Sequence, residues 1–285
     1  MDSEEAWFTI PLEQTGDGAF HIKRTAANQL NARILDSHLL DVFHGHAAPG
    51  KEPATLLVVD FRFLSPSQER RFKQAEIELQ FEDEGRRSTQ DPEVAGIAPN
   101  GDFPLNPTSR IVTTTLSGGV SVMAGGTIAS ARVGIGWDRS TTTERTDRGT
   151  VMGHTKVKGR AFGKMNVARF MMRENSSQQD RIPSRLRIAI LLKRCSKEDR
   201  FLIIAEIKTK VDVRHSLNRI VQNWRGTAVK SDYILFDPGV TSGKPTGPGV
   251  DCENLATCDL KSLSYFVPRT QSEADMGEER ASGKN

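Results

Sequence analysis

Two carboxylates stand on otherwise apolar stretches: Asp60 follows Leu56, Leu57, Val58 and Val59, and Glu206 follows Leu202, Ile203, Ile204 and Ala205. A carboxyl group enclosed by such neighbours is either paired with a cation or neutral. Kept neutral, it donates a hydrogen bond to a carbonyl and stabilises negative charge developing there. Paired, it makes an ordinary ion pair, and Arg62 and Lys208 are placed for that, because residues two apart on a strand share a face. Arg169 alternates with Met171 and Arg173, opposite Phe170 and Met172, and raises the same alternative. Asp60, Glu206 and Arg169 are therefore the candidate catalytic residues.

Walls for an apolar site are also present. Met123, Met152, Met165, Met171 and Met172 concentrate in the middle third, and thioethers adapt to irregular apolar shapes, as core filler or as pocket lining. If their elements converge, Trp137, Phe170, Met172, Trp224 and Tyr233 line a hydrophobic substrate pocket. Gly134 and Gly136 alternate with Val133, Ile135 and Trp137, which leaves one face of that strand nearly bare and open to a sheet, a tail or a ligand.

Other chemistries lack their signatures. His44-Gly45-His46, with His38 upstream, has no third ligand at a telling spacing and reads as a solvated loop, so no metal is expected. The Gly118-Gly119 and Gly125-Gly126 pairs lack a P-loop lysine and dinucleotide spacing and read as hairpin turns, so no cofactor is expected. No Gly-x-Ser-x-Gly elbow occurs, and Cys195, between basic residues, reads as an exposed strand-end cysteine.

Thirty-nine lysines and arginines against 36 acids give a net charge of +3, too weak a field to argue for nucleic acid. Three cysteines without a Cys-x-x-Cys pair suit a reducing compartment. The acidic start Met1-Asp2-Ser3-Glu4-Glu5 is unlike a signal peptide, and no run of roughly 18 apolar residues occurs, so a cytoplasmic protein without an integral membrane segment is expected. Asn175-Ser176-Ser177 meets the N-glycosylation rule, which matters only in the secretory path.

Period-two alternation dominates the elements that must position these residues. Phe201, Ile203, Ala205 and Ile207 against Glu206, Lys208 and Lys210 predict a strand with one wet face. Ile77, Leu79 and Phe81 against Glu76, Glu78 and Gln80 predict a peripheral strand, and Leu57 to Phe63 a central one. Further strands are expected over residues 31–43, 110–123, 127–137, 150–158, 166–173, 186–193 and 232–236. Leu217, Ile220, Val221 and Trp224 fall at helical spacing in His215 to Arg225, predicting one short amphipathic helix. The fold class is all-β, mostly antiparallel: a β-sandwich or curved barrel-like sheet with that helix and an extended C-terminal tail. Residues 1–238 form one β-rich domain, and 239–285 a linker and tail, docked in part through Leu260 to Val267.

Asn166-Val167-Ala168-Arg169-Phe170, Arg173-Glu174-Asn175, Ile182-Pro183-Ser184 and Leu191-Leu192-Lys193-Arg194 carry a resemblance. With Arg71-Phe72-Lys73, Asn106-Pro107-Thr108 and Leu235-Phe236-Asp237-Pro238, they resemble a family of uncharacterised filamentous-fungal β-rich proteins over about residues 55–240. The resemblance implies a fungal source and a shared β fold but no agreed activity; tryptophan stands in that group where this chain has Phe170. Two readings follow. One is a cofactor-independent cyclase or pericyclase of Diels-Alderase type, folding a hydrophobic fungal metabolite in an apolar pocket. The alternative is a non-enzymatic binding module that engages a protein or lipid partner through sheet edges or the tail.

Overall fold

The computed structural model describes residues 4–10, 12–14, 20–22, 35–63, 71–121, 134–213, 233–238 and 250–268. In chain order the strands are β1 (Glu4–Ile10), β2 (Leu12–Gln14), β3 (Phe20–Ile22), β4 (Leu35–His46), β5 (Pro53–Phe63), β6 (Phe72–Asp83) and β7 (Glu93–Ala98). There follow β8 (Gly101–Ser121), β9 (Gly134–Lys156), β10 (Val167–Arg173), β11 (Arg185–Lys193), β12 (Phe201–Val213), β13 (Tyr233–Phe236) and β14 (Tyr265–Val267). The helical element among the described residues is the single 3-10 turn Leu255–Thr257. The predicted helix at His215 to Arg225 lies outside the described residues.

A seven-stranded sheet runs β1-β12-β6-β10-β9-β8, with β13 on β12, and a five-stranded sheet runs β14-β11-β5-β4, with β7 on β11. Neither closes on itself, and together they form a sandwich. The alternation explains the packing. Ala75, Ile77, Leu79 and Phe81 of β6, Ala168, Phe170 and Met172 of β10, and Phe201, Ile203, Ala205 and Ile207 of β12 enter one core. They meet Leu57, Val59, Phe61 and Phe63 of β5 and Leu186, Ile188, Ile190 and Leu192 of β11. Each fully buried large side chain contributes roughly 1.5–3 kcal/mol.

Three expectations are corrected. β6 is not peripheral: it lies between β12 and β10. Its wet face is wet because its outward carboxylates find cations across the sheet, Glu76 with Arg169 of β10 and Glu78 with Lys156 of β9 and Lys158 just beyond it, not because it is an edge. The short strands expected at 127–137 and 150–158 are joined in β9, and the one expected at 110–123 begins earlier in β8: the two run 23 and 21 residues and pair continuously apart from one irregularity between Leu105 and Thr108. The stretch Arg139 to Asp147 has no apolar alternation to announce it, yet it stays extended because β8 supplies its ladder partners. Gly118 and Gly119 are therefore strand residues opposite Trp137 and Gly136, not a turn.

The C-terminal segment covers the outer face of the five-stranded sheet at one end. Leu255 packs with Phe43, Ala47, Ala54 and Leu56, and His46 N donates to Cys252 O at 2.8 Å. A Cβ on Gly45 would lie 1.9 Å from Cys252 O, so the docking needs glycine there.

Candidate functional site

The three predicted catalytic residues do not meet. Arg169 and Glu206 share the outer face of the seven-stranded sheet, while Asp60 lies on the outer face of the other sheet, across the core. Glu206 is an ion-paired surface group, 2.9 Å from Lys208 Nζ. Arg169 pairs with Glu76 at 2.9 Å, next to Glu78, which binds Lys156 and Lys158. Asp60 is fully enclosed, with Arg185 Nε at 2.7 Å and Arg62 Nε at 3.0 Å. Burial alone would raise its pKa, but the hydrogen bonds and charges of Arg185 and Arg62 outweigh that and hold it below the ordinary carboxylate value. An ionised Asp60 accepts hydrogen bonds and has no proton to donate to a carbonyl.

The predicted pocket walls are equally dispersed. Phe170 and Met172 are wholly buried in the sandwich core, as packing rather than lining. Tyr233 is 49% exposed on β13, with the Arg86 guanidinium 5.0 Å from its ring centroid. Trp137 belongs to the β8–β9 hairpin and pairs with Gly118. Trp224 lies outside the described residues. The described cleft at the root of that hairpin, bounded by Leu105, Asn106, Gly149, Arg173, Asp180 and Pro268, holds about 10 Å³, room for a single water. His44 donates or accepts at Thr55 Oγ1 (2.9 Å), and His46 faces Glu253 at 3.4 Å.

The expected hairpin between residues 110–123 and 127–137 is present as the antiparallel β8–β9 pair, and its length is what sequence reasoning missed. β10 accompanies β9 only from Lys156 to Thr150. Beyond it, fourteen consecutive pairs from Thr108↔Asp147 to Ser121↔Gly134 carry the two strands on with no further described strand beside them, roughly 45 Å at about 3.3 Å per residue. The register makes this ladder two-faced toward its far end. Gly118↔Trp137 and Val120↔Ile135 share one face, and Ser117↔Asp138, Gly119↔Gly136 and Ser121↔Gly134 the other. The sequence extends the alternation: Val122 and Ala124 follow Val120 at steps of two, and Val133, Ala131 and Ala129 precede Ile135 likewise. The interleaved positions carry Met123, Gly125, Ser130 and Arg132. The signal in the sequence is a pair of weak alternations flanking Gly125-Gly126, a turn reading that lies outside the described residues, each too glycine-rich to stand out by itself.

The root is clamped. Asn175, fully buried, directs Nδ2 to Asn106 O at 2.7 Å, Thr108 Oγ1 at 3.0 Å and Asp147 O at 3.2 Å, so one amide joins both strands. Asp180 accepts from Asn175 N and from Asn106 Nδ2, each at 3.0 Å, and Ser177 Oγ donates to Asp147. Asn106 sits at φ +41, beside the register irregularity between Leu105 and Thr108. Committed in this way, the Asn175 amide has no room for a glycan in the folded chain.

No family model matches the chain, and no curated protein does. Among solved structures it is similar to the NetB toxin of Clostridium perfringens in its membrane-inserted form. The identity is 10% over 73% of this chain and 89% of that one, with a TM-score of 0.28, too low to bear on fold or activity. No described helix is long and apolar enough to cross a membrane.

Proposed function

We propose that this chain is a non-enzymatic lipid-engaging module whose β8–β9 hairpin enters a bilayer alongside the hairpins of other copies. The observation that carries the reading is the two-faced register of the hairpin beyond the reach of β10. A strand crossing a bilayer needs about 9–11 residues that alternate between lipid-facing apolar and water-facing polar or small side chains. The segments Leu116 to Gly125 and Ser130 to Arg139 are ten residues each and alternate in that way except at Met123. Trp137 stands near the polar end of the apolar row with Arg139 next on the same face, an order that suits the headgroup boundary.

A lone hairpin cannot remain in hydrocarbon, because the outer edges of both strands would leave backbone N–H and C=O groups unpaired, each at a cost of several kcal/mol. Side-by-side copies remove that cost by closing the edges into a barrel. The water-facing row then lines the lumen with Ser117, Gly119, Ser121, Gly134, Gly136 and Asp138.

The test exploits neighbouring residues on opposite faces. Release of a trapped dye from phosphatidylcholine vesicles containing a minor fraction of phosphatidylserine is measured for wild type, Val120→Lys and Ser121→Lys. A charge on the lipid-facing row costs about 2–4 kcal/mol per copy near the bilayer midplane, so Val120→Lys should abolish release while Ser121→Lys retains it. Equal effects of the two substitutions, or no release by folded wild type, would overturn the reading.

A further inference from the structure

On the outer face of the five-stranded sheet, one enclosed carboxylate gathers three arginines. Asp60 accepts from Arg185 Nε with both oxygens (2.7 and 2.9 Å) and from Arg62 Nε (3.0 Å), and Arg187 Nε stands 3.9 Å away. Three guanidiniums around one carboxylate leave a local excess of positive charge. β4 brings His38 and Asp36 to register positions opposite Asp60 and Arg62, on the side of β5 away from β11. The excess is therefore centred on the β11 pair, Arg185 and Arg187.

That pair is held but not saturated. The Tyr265 ring lies against both guanidiniums, 5.1 Å from Arg185 and 4.6 Å from Arg187, and fixes their planes. Arg185 spends only Nε on Asp60, so among the described residues its terminal nitrogens find no acceptor. The Arg187 side chain makes no hydrogen bond among them, and its Nε is shielded from solvent without a partner. Both side chains remain about three-tenths exposed, which gives a ligand access. Guanidinium edges oriented from behind by a carboxylate and an aromatic ring, with free donors outward, suit a tetrahedral oxyanion that accepts several charge-assisted hydrogen bonds.

We infer that Arg185 and Arg187, with Tyr265 and Arg62 beside them, form a binding site for a phosphate-type oxyanion. The site lies near the end of the sandwich from which the hairpin departs: Arg185 pairs with Val267, and the adjacent Pro183 and Pro268 line the cleft at the hairpin root with Leu105 and Gly149. Free phosphate and the phosphate of a lipid headgroup present the same chemistry to it. The inference does not rest on the hairpin reading.

Full-length protein is titrated with inorganic phosphate at constant ionic strength, with chloride as the matched control, and followed by calorimetry and thermal shift. Arg187→Gln is the diagnostic variant, because Arg187 makes no hydrogen bond to Asp60 and its loss leaves the enclosed carboxylate paired; Lys193→Gln, on the same strand, is the control. Saturable phosphate binding, weakened about tenfold or more in Arg187→Gln and unchanged in Lys193→Gln, is expected from loss of a charge-assisted pair. A response no larger than that to chloride, or one unchanged by Arg187→Gln in folded protein, would overturn the site. A second arm uses phosphatidic acid vesicles: binding that free phosphate displaces assigns a headgroup as the source, and phosphate binding without such displacement assigns the free anion. Phosphate binding without dye release would sink the hairpin reading and leave this site standing; dye release without phosphate binding would do the reverse.

Discussion

The sandwich and the hairpin are built from the same kind of strand, yet they treat alternation in opposite ways. In the sandwich, alternate residues such as Ile77, Leu79 and Phe81 are wholly or almost wholly buried against a second sheet, and each intervening carboxylate is answered by a neighbour. In the hairpin beyond Thr108 and Asp147 the ladder has two faces and no second layer from any described strand. The first arrangement is complete among the described residues. The second carries an alternating row that no described strand covers, and the bilayer proposal rests on that difference.

The sharpest way to break the comparison is to truncate one apolar residue in each region. Phe170→Ala should destabilise the fold by about 3–5 kcal/mol, as large-to-small core changes do, whereas Val120→Ala should leave the urea midpoint unchanged within experimental scatter. A large loss from Val120→Ala would show that the hairpin is packed after all. Next in size is a pH effect confined to the sandwich. Burial, reinforced by the Arg194 charge and opposed by Asp237, lowers the His44 pKa from 6.5 to about 4. Between those values the unfolded chain takes up a proton that the folded chain refuses, so stability rises with pH across the window. Acidification from neutrality to about pH 4 should therefore cost up to about 3 kcal/mol, and His44→Gln should flatten that limb of the chemical-denaturation profile.

Asn175→Ala probes the junction. Removing its amide leaves the carbonyls of Asn106 and Asp147 without that donor, at about 1–3 kcal/mol, and hydrogen exchange should speed up in the hairpin root before it changes in β6 or β12. Protection lost evenly through both regions would mean that the clamp belongs to the body. The smallest effect is expected at the outer face, where Glu206→Gln should shift stability by no more than about 1 kcal/mol, because its pair with Lys208 is exposed.

The antiparallel all-β class and the cores of β6 and β12 were legible from alternation, because burial on one face writes itself into every second residue, and β5 and β11 from near-continuous apolar runs, because they are buried on both faces. The arrangement of sites was not. Asp60 and Glu206 look alike in sequence, each a carboxylate after four apolar residues, but alternation assigns a residue to a face and is silent about which sheet the face belongs to. Trp137 read as a pocket wall because the polar stretch after it gave no sign that the strand continues. A search for some 18 consecutive apolar residues is matched to helices, and it passes over ten-residue alternating segments in which every second position except Met123 is serine, glycine or charged.

β9 runs unbroken from Gly134 to Lys156, so the same backbone ladder that holds Val151 in the core reaches the far pairs of the hairpin, whereas β8 is interrupted between Leu105 and Thr108. Mechanically the two strands are a stiff spar and a jointed strut. An irregularity of that kind bends its strand and raises the local twist, so the joint sets the angle at which the strut leaves the body. The Asn175 clamp spans that same joint and pins the angle, with β8 the outermost strand of its sheet among the described residues.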